Sequence, residues 1–176
     1  MQSKSEIRSH MRALLPPDDR VGRSARICDR IAALSAWETA RVVAMFAPQL
    51  REPDVEGLWP FAAGKTLAYP IVDGDGLALH STASRDGLQP GRWGIREPIA
   101  HPDHRVDPAD VDLILVPGVA FTLAGARCGR GGGYYDRLLA LLPAKAVRVG
   151  VCFAVQILEE LPVEPHDATV NIVIAE

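Results

Sequence analysis

The residue types best able to do chemistry lie together in residues 127–139, which read RCGRGGGYYDRLL. Their glycines come just before a predicted helix, where glycine permits positive φ and lets the backbone approach a ligand closely. The free N–H groups and positive dipole end of a helix N-terminus favour phosphate. Arg127, Arg130 and Arg137 add guanidinium groups that match phosphate oxygens. The stretch therefore predicts a polyphosphate site.

Neither of the two common phosphate-binding motifs accounts for this stretch. No Lys-Ser/Thr pair follows the glycines, so it is not a P-loop. Gly129, Gly131 and Gly133 are too closely spaced for G-x-G-x-x-G, and no acidic residue follows at the distance a dinucleotide site needs. A plain connecting loop is the alternative, because a chain with 15 glycines clusters some by chance. The sequence indicates phosphate without identifying the molecule that carries it.

Strands and helices alternate around the stretch. A branched apolar run at 113–116, closed by Pro117-Gly118, predicts a strand before it, and 134–142, ended by Pro143, predicts a helix after it. Further helices are predicted over 3–15, 21–34, 54–62 and 156–161, and further strands over 41–46, 66–69, 77–81, 147–151 and 170–174. Residues 83–110, rich in Pro, Gly and charge, form the longest irregular segment. The alternation predicts an α/β protein with helices on both faces of a largely parallel or mixed sheet, which binds ligands beyond the carboxyl ends of its strands.

Composition places the chain among ordinary globular proteins. Its 176 residues favour one domain, and 48% hydrophobic with 23% charged residues is a typical balance. A net charge of −3 argues against broad nucleic-acid binding. Cys28, Cys128 and Cys152 are odd in number and lack CxxC spacing, which favours a reducing compartment over disulfides or a zinc site. With no signal-like start and no long apolar run, we expect a cytoplasmic protein with no membrane or nucleic-acid partner.

The wider context of the glycine stretch is more specific. Residues 116–139, VPGVAFTLAGARCGRGGGYYDRLL, closely resemble the 5-formyltetrahydrofolate cyclo-ligase signature V-P-G-x-x-F-D-x-x-G-x-R-L-G-x-G-x-G-Y-Y-D. Other segments are similar to that family in the same order: KSEIR at 4–8, Glu52 after the strand 42–46, GIREP at 94–98, Gln156, LP at 161–162 and HD at 166–167. The resemblance thus covers nearly the whole chain.

Three positions depart from the family pattern. Thr122 stands where the family usually has Asp, Cys128 replaces Leu, and Pro53 replaces a β-branched residue. Cysteine is a tolerable apolar exchange. The loss of a carboxylate at Thr122 bears on loop structure or metal binding, and Pro53 bears on the folate side of the site.

The resemblance implies a fold and an activity. The fold would be a three-layer, Rossmann-like single domain over residues 1–176, with a central mixed, largely parallel sheet. The activity would be the ATP- and Mg²⁺-dependent conversion of 5-formyltetrahydrofolate to 5,10-methenyltetrahydrofolate, with release of ADP and phosphate, by a monomer whose partners are ATP and a reduced folate. The alternatives are a paralogue that binds ATP and acts on another substrate, and a non-catalytic protein that sequesters folate or nucleotide.

The resemblance also implies residue roles. Catalysis would fall to Arg127, Arg130 and Tyr134. ATP would be bound by Lys4, Arg8, Arg127, Cys128, Gly129, Arg130, Gly131, Gly132, Gly133, Tyr134 and Tyr135. The folate would be bound by Ala47, Glu52, Trp93 and Tyr134, and Mg²⁺ by Asp136 and Asp167.

Simple structural roles compete with several of these assignments. Lys4 and Arg8 lie one helical turn apart and share a face, which could equally be a solvated basic face. Asp136, in a first helical turn, stabilises the helix dipole whatever its function, although Mg²⁺ also favours a few carboxylates beside phosphate. Asp167 could be a turn or cap residue, and His166 is better explained as a surface histidine than as a general acid.

The folate-side residues have similar alternatives. Glu52 could accept hydrogen bonds from the donor edge of a pterin or be a solvated loop glutamate. Trp93 could be a stacking wall for a flat heterocycle or a packing residue. Of Tyr134 and Tyr135, one is expected to be buried and the other to line a ligand pocket.

Overall fold

The fold is built on a central sheet of seven strands, in a computed structural model that describes residues 2–14 and 16–176. The described residues form these strands, inside and outside the central sheet: β1 (Val42–Ala44), β2 (Thr66–Asp73), β3 (Gly76–Ser81), β4 (Leu88–Pro90), β5 (Arg96–Pro98), β6 (Arg105–Val106), β7 (Leu113–Pro117), β8 (Ala120–Phe121), β9 (Arg127–Cys128), β10 (Val147–Cys152) and β11 (Ile172–Ala175). The α-helices are α1 (Lys4–Ala13), α2 (Arg20–Ala32), α3 (Ser35–Thr39) and α4 (Tyr134–Leu141), and a 3₁₀ helix spans Val55–Phe61.

The central sheet is parallel over most of its width. Its order is β11-β10-β7-β1-β2-β3-β6, and neighbours from β11 to β2 all pair in parallel. Strand β3 then pairs antiparallel with β2 through a tight turn at 73–76, and β6 pairs antiparallel with β3. Two small antiparallel hairpins, β4–β5 and β8–β9, lie outside this sheet. The mixed, largely parallel sheet predicted from the sequence is confirmed.

Alternate residues of the buried strands feed two separate cores. Val43 and Leu113 pack on one face with α2, α3 and the 3₁₀ helix, whereas Ala44 and Ile114 pack on the other face with α4. Both faces are covered, which is why these strands read as continuous apolar runs. The arrangement is the expected three layers. A smaller cluster holds α1 against the β8–β9 hairpin.

Local signals explain where the first helices begin. Ser3 caps α1 in a capping box with Glu6, and the Asp19 side chain caps α2 by accepting the N–H of Gly22. The predicted helix over 3–15 is found as α1, and Leu15 lies outside the described residues. The predicted helix over 21–34 is shorter in the structure, since α2 ends at Ala32 and α3 follows as a separate element.

The helix predicted over 156–161 is wrong. Only a 3₁₀ turn, Ala154–Gln156, forms there. The N–H of Leu158 donates to the carbonyl of Phe121 at 2.8 Å, and Ile157 forms a bridge with the same residue. The N–H of Leu158, which a helix would use internally, therefore donates to β8.

Three smaller predictions also need correction. The segment 54–62 is 3₁₀ instead of α-helical and contains Pro60, which cannot donate a helix hydrogen bond. The last strand begins at Ile172 instead of residue 170, because the N–H of Val170 donates to the carbonyl of Gly125. The irregular segment 83–110 contains β4, β5 and β6. Over the described part of the chain, no helix is long and apolar enough to cross a membrane.

Candidate active site

A cleft of about 730 Å³ opens at the carboxyl ends of β1 and β7. Phe46 and Ala47 follow β1, and Pro117 and Gly118 end β7, so the floor of the cleft is formed where parallel strands terminate. This is the edge at which open α/β sheets bind ligands. Other walls come from α1, the β2–β3 turn region, the β4–β5 hairpin and residues 129–136 and 164–167.

The glycine loop between β9 and α4 forms one wall of the cleft. Gly131 has φ +103° and Gly133 has φ +66°, values that L side chains rarely adopt. Gly133 is the N-cap of α4, and no side chain caps that helix end. The N-terminus of α4 therefore presents backbone donors and a positive dipole end beside the cleft, as a phosphate site requires.

Arg127 is the buried cation of this site. Its side chain is only 4% exposed, and its Nη2 donates to Asp136 Oδ1 at 2.6 Å. Its guanidinium lies 6.0 Å from the ring centre of Tyr135. Within the described part of the chain its Nε is buried without a hydrogen-bond partner, so the guanidinium retains donor capacity.

The other two arginines of the stretch occupy different positions. Arg130 lines the cleft, where its Nη2 donates to Glu52 Oε1 at 2.6 Å and its Nη1 donates to the side chain of Gln49. Arg137 is not among the lining residues. Its Nη2 donates to the carbonyl of Gly132 at 2.8 Å, and its guanidinium lies 5.2 Å from the ring centre of Tyr134. Arg137 therefore braces the glycine loop.

The two cations of α1 both reach the cleft. Arg8 Nε donates to the carbonyl of Gly129 at 2.8 Å, which ties the helix to the glycine loop. Lys4 Nζ donates to both carboxylate oxygens of Asp167, at 2.8 and 2.6 Å, and its side chain is only 14% exposed. Lys4 and Arg8 therefore do not form a solvated basic face.

Carboxylates gather at the same end of the cleft. Asp136 Oδ1 accepts hydrogen bonds from Arg127 and from the N–H of Ala168, at 3.2 Å, which brings the start of α4 next to residues 164–168. Burial raises the pKa of Asp167, but the bonds from Lys4 and from the N–H of Glu164 outweigh it, and the net pKa is lowered. Among the described residues, Glu164, His166 and Asp167 form one group able to hold a metal ion.

An apolar wall faces the glycine loop. It is formed by Phe46 after β1, Pro70 and Val72 of β2, Leu77 of β3 and Ile95 of the β4–β5 hairpin. The ring of Trp93 stands at the rim, 62% exposed, and meets the ring of Tyr134 edge-on with centroids 5.7 Å apart. This wall suits a flat, partly apolar heterocycle.

Glu52 is buried between the two walls. It is only 7% exposed, its Oε2 accepts the N–H of Gln49 at 2.9 Å, and its Oε1 accepts from Arg130. Glu52 is therefore not a solvated loop glutamate. Ala47 and Glu52 both line the cleft, as do Trp93 and Tyr134, so the structure brings the four residues assigned to the folate together.

Two predictions about side-chain placement need revision. Cys128 does not line the cleft, because its side chain packs with Ile7 and Met11 beneath the loop, and this burial raises the pKa of its thiol. Tyr134 and Tyr135 were expected to divide between core and pocket, but both are half-buried and both line the cleft. Desolvation raises the pKa of the Tyr135 phenol.

The hydrogen bonds of Thr122 explain why threonine can stand where the family usually has aspartate. It is buried, its Oγ1 accepts the N–H of Ala126 at 3.1 Å, and its own N–H donates to the carbonyl of that residue. The hydroxyl thus closes the turn between β8 and β9, a role that an aspartate oxygen fills equally well. Thr122 is not among the lining residues.

Several lining residues were not found from the sequence. Gln49, Arg96, Glu97 and Glu164 all face the cleft. Gln49 and Glu164 each lie three residues from a predicted site residue, so loop proximity was an available signal. Arg96 occupies the variable position of the GIREP segment, and no spacing pattern identifies it.

The fold and the cleft define an α/β protein with an uncapped helix N-terminus, suited to an anionic, phosphate-type group, beside an apolar wall. The model of the 5-formyltetrahydrofolate cyclo-ligase family matches residues 1–176. The 5-formyltetrahydrofolate cyclo-ligase of Mycolicibacterium smegmatis is 30% identical over 182 aligned positions, covering 97% of this chain and 92% of that protein. The chain belongs to the 5-formyltetrahydrofolate cyclo-ligase family.

Further relatives agree with this assignment. The 5-formyltetrahydrofolate cyclo-ligase of Escherichia coli K12 is 31% identical over 170 positions, covering 92% of this chain and 91% of that protein. The solution structure of Aquifex aeolicus 5,10-methenyltetrahydrofolate synthetase is similar with a TM-score of 0.84 and 36% identity, over 98% of this chain and 89% of that one.

Proposed function

We propose that this protein converts 5-formyltetrahydrofolate to 5,10-methenyltetrahydrofolate and consumes ATP in doing so. The observation that carries the proposal is one cleft with two unlike walls, the glycine loop with buried Arg127 on one side and the apolar wall with Glu52 and Trp93 on the other. A phosphate donor and a flat heterocycle would meet there. The names of the relatives at about 30% identity support the same reaction.

The proposed chemistry uses phosphate to turn an amide oxygen into a leaving group. The formyl oxygen attacks the γ-phosphorus of ATP, the bond to the bridging oxygen breaks, and ADP leaves. The second folate nitrogen then attacks the activated formyl carbon, closes the five-membered ring and loses its proton, and the C–O bond breaks so that phosphate leaves with that proton. No nucleophilic side chain is needed, because the protein holds the groups in line and neutralises developing charge.

Residues of the glycine loop would hold the nucleotide. Backbone N–H groups of Gly131 to Tyr134 would face the phosphates, with Arg127 and Arg130 as catalytic cations that balance charge on the transferring group. Tyr134, also assigned to catalysis, would lie between nucleotide and folate. Lys4 and Arg8 would add charge from α1, and Tyr135 and Gly129 would complete the ATP side. Cys128 would support the loop from below.

Carboxylate oxygens near the loop fit a magnesium ion. Asp136 and Asp167 would hold it, and both hydrogen bonds to Asp136 go to Oδ1. Mg²⁺ favours one or two carboxylates together with phosphate oxygens. When bound, it would neutralise phosphate charge and orient the γ-phosphoryl group.

The folate would lie against the apolar wall. Glu52 would accept hydrogen bonds from the donor edge of the pterin, and Trp93 with Ala47 would bound its faces. We further infer that residues 1–176 act as one domain and one monomer, with ATP and a reduced folate as partners, in the reducing cytoplasm where Cys28, Cys128 and Cys152 stay as thiols.

The stoichiometry of phosphate release tests the proposed function. Purified protein with ATP and Mg²⁺ should release ADP and phosphate only when 5-formyltetrahydrofolate is added, with one of each per methenyl product formed. ATP hydrolysis that ignores the folate would instead favour a paralogue acting on another substrate. ATP or folate binding without turnover would favour a sequestering protein.

A further inference from the structure

The tip of the β4–β5 hairpin holds Trp93 in a strained backbone conformation. The N–H of Ile95 donates to the carbonyl of Arg92 at 3.1 Å, and the two residues between them have positive φ, +56° at Trp93 and +72° at Gly94. Two positive φ values define a type I′ turn, in which Asn or Gly usually takes the first position. A bulky L-residue is disfavoured there by its Cβ, and such a conformation persists only where its surroundings hold it.

The hairpin ladder alone is a weak anchor for that conformation. Each strand has three residues, and the pairs are Leu88 with Pro98, Gln89 with Glu97, and Pro90 with Arg96. The two prolines lack an N–H and cannot donate across the ladder. An isolated two-stranded hairpin is marginally stable even with a full ladder. Something outside the hairpin must fix it.

A buried carboxylate supplies this anchor. Glu56 lies on the 3₁₀ helix, with its side chain only 1% exposed, and its Oε1 accepts from Arg96 Nη2 at 2.6 Å. The same helix buries Val55 and Leu58 completely in the core. The hydrogen bond to Glu56 is the largest reason that the pKa of Arg96 is raised. Strand β5 is therefore tied to a rigid part of the molecule three residues from Trp93.

Arg96 also lines the cleft, and its side chain is 41% exposed. At the tip of the hairpin, three residues before Arg96, Trp93 meets Tyr134 edge-on, and Arg92 lies 5.4 Å from the centre of the indole. The hairpin thus spans from the buried anchor to the glycine-loop wall. Its position sets how far the indole stands from the apolar wall.

We propose that Glu56 and Arg96 are positioning residues for the formylfolate, because their ion pair holds Trp93 at the mouth of the cleft. Neither residue lies in the glycine loop, so the pair acts on the folate side and leaves the ATP side unchanged. The inference rests on the proposed function for the identity of the ligand. The geometry of the hairpin stands without it.

The substitutions Arg96→Met and Arg96→Lys provide the main test of this positioning role. Arg96→Met should raise KM for 5-formyltetrahydrofolate roughly tenfold, because a small misplacement of a binding wall has a large effect, while KM for ATP stays constant. Arg96→Lys, which keeps the charge, should recover part of the loss. Glu56→Gln should resemble Arg96→Met, and the double variant should be no worse than either single one, since both remove the same contact.

Arg85→Met is the matched control. Arg85 Nε lies 3.6 Å from Glu56 Oε2, so it has the same partner, but it precedes the hairpin in the chain and is more exposed. Its removal should leave KM for the folate unchanged. A rise in both KM values in Arg96→Met, or an effect of Arg85→Met as large as that of Arg96→Met, would show a general structural role and overturn the proposal.

Fluorescence separates this proposal from the proposed function. The emission of Trp93 is obtained as the difference between the protein and its Trp93→Phe variant, with and without the Arg96→Met change. Quenching of that emission by acrylamide should increase when Arg96 is replaced. Unchanged quenching overturns the positioning role even if the wild type turns over. If the wild type shows no turnover but quenching still increases on Arg96→Met, the positioning role is supported and only the proposed function is rejected.

Discussion

At the residue scale, Arg127 contributes both to the stability of the site and to its proposed chemistry. It is the one member of the arginine-rich stretch with a nearly buried side chain, and its partner Asp136 belongs to the first turn of the helix whose N-terminus we propose as the phosphate site. Sequence reasoning identified its charge and its place beside the glycines. It did not identify its burial, because burial depends on Tyr135 and on the β8–β9 hairpin coming together in space.

Replacing Arg127 should therefore affect folding as well as turnover. In Arg127→Met we expect turnover to fall by roughly 100-fold or more, because a preorganised cation is lost. We also expect the free energy of unfolding to fall by about 3 kcal/mol, because Asp136 is left without its buried partner. Steady-state kinetics and urea unfolding measure the two effects.

Arg130→Met is the control for this prediction, since its side chain is 52% exposed. It should lose turnover while its free energy of unfolding changes little. If Arg127→Met kept wild-type turnover, the placement of the phosphate site at this loop would be wrong.

Glu52 gives a second prediction at this scale. Glu52→Gln should weaken 5-formyltetrahydrofolate binding by roughly tenfold, because one charged hydrogen-bond acceptor is lost, with a smaller change for ATP. Equilibrium titration with each ligand measures this. Arg51→Gln, an exposed neighbour outside the cleft, is the control and should bind as the wild type does. Equal folate affinity in Glu52→Gln and wild type would remove Glu52 from the site.

At the element scale, α1 acts as a brace for the glycine loop. Its first turn reaches Asp167 through Lys4, and its second turn reaches the carbonyl of Gly129 through Arg8. A helix that begins at residue 4 thus supports a loop more than 120 positions later in the chain. The helical pattern of residues 3–15 predicted the helix, but the pairing with the loop is a tertiary contact that no local pattern contains.

Removing the hydrogen bond between Arg8 and the carbonyl of Gly129 should mainly weaken the binding of ATP. In Arg8→Met we expect KM for ATP to rise by roughly tenfold, because the loop loses a fixed hydrogen bond and a cation near the phosphates, while KM for the folate changes less. Arg12→Met, one turn further along the same helix and exposed, should behave as the wild type. Similar ATP kinetics in the two variants would contradict the bracing role of α1.

The β3–β6 edge predicts a dependence of stability on pH. His80 is buried, and burial, followed by the charge of Arg105, lowers its pKa below the ordinary value of 6.5. Its Nδ1 accepts the N–H of His101, which requires the nitrogen to be unprotonated. Because the unfolded chain binds the proton more readily, stability from this group is full above pH 6.5 and falls as pH drops below that value.

The substitution His80→Asn tests this dependence of stability on pH, because the asparagine side chain does not titrate and keeps a hydrogen-bond acceptor. Urea unfolding from about pH 8 to about pH 5 should show a smaller loss of stability in His80→Asn than in the wild type. His10→Asn, at an exposed histidine of α1 away from this edge, should keep the wild-type slope. An equal slope in wild type and His80→Asn would mean that His80 does not control the acid stability of this edge.

The sequence predicted the elements that carry local signals and missed those that do not. The helical patterns of α1 and α2, the branched apolar run of β7 and the glycine stretch before α4 are local signals of this kind. The β4–β5 hairpin was left irregular because its strands have three residues and contain Pro90 and Pro98. Residues 156–161 looked helical, yet Gln156 Nε2 donates to the carbonyls of Gly118 and Val119, so tertiary partners override the local preference.

At the scale of the whole molecule, the cleft is assembled from parts of the chain that are far apart in sequence. The start of α1, the loop after β1, the β4–β5 hairpin, the glycine loop and residues 164–167 meet only because β1 and β7 are neighbours in the sheet. The parallel order of the strands therefore creates the site, and loops supply its chemistry. All residues that the family resemblance assigned to the site, except Cys128, line the cleft, whereas the ties among Glu56, Arg96 and Trp93 are tertiary contacts that no local pattern contains.

Formation of the methenyl product tests the central proposal most directly. The purified protein is mixed with 5-formyltetrahydrofolate, ATP and Mg²⁺, and the near-ultraviolet absorbance of 5,10-methenyltetrahydrofolate is followed with time. We predict that absorbance grows only when all three components are present. No growth with all three, from protein that still binds ATP, would contradict the proposed reaction.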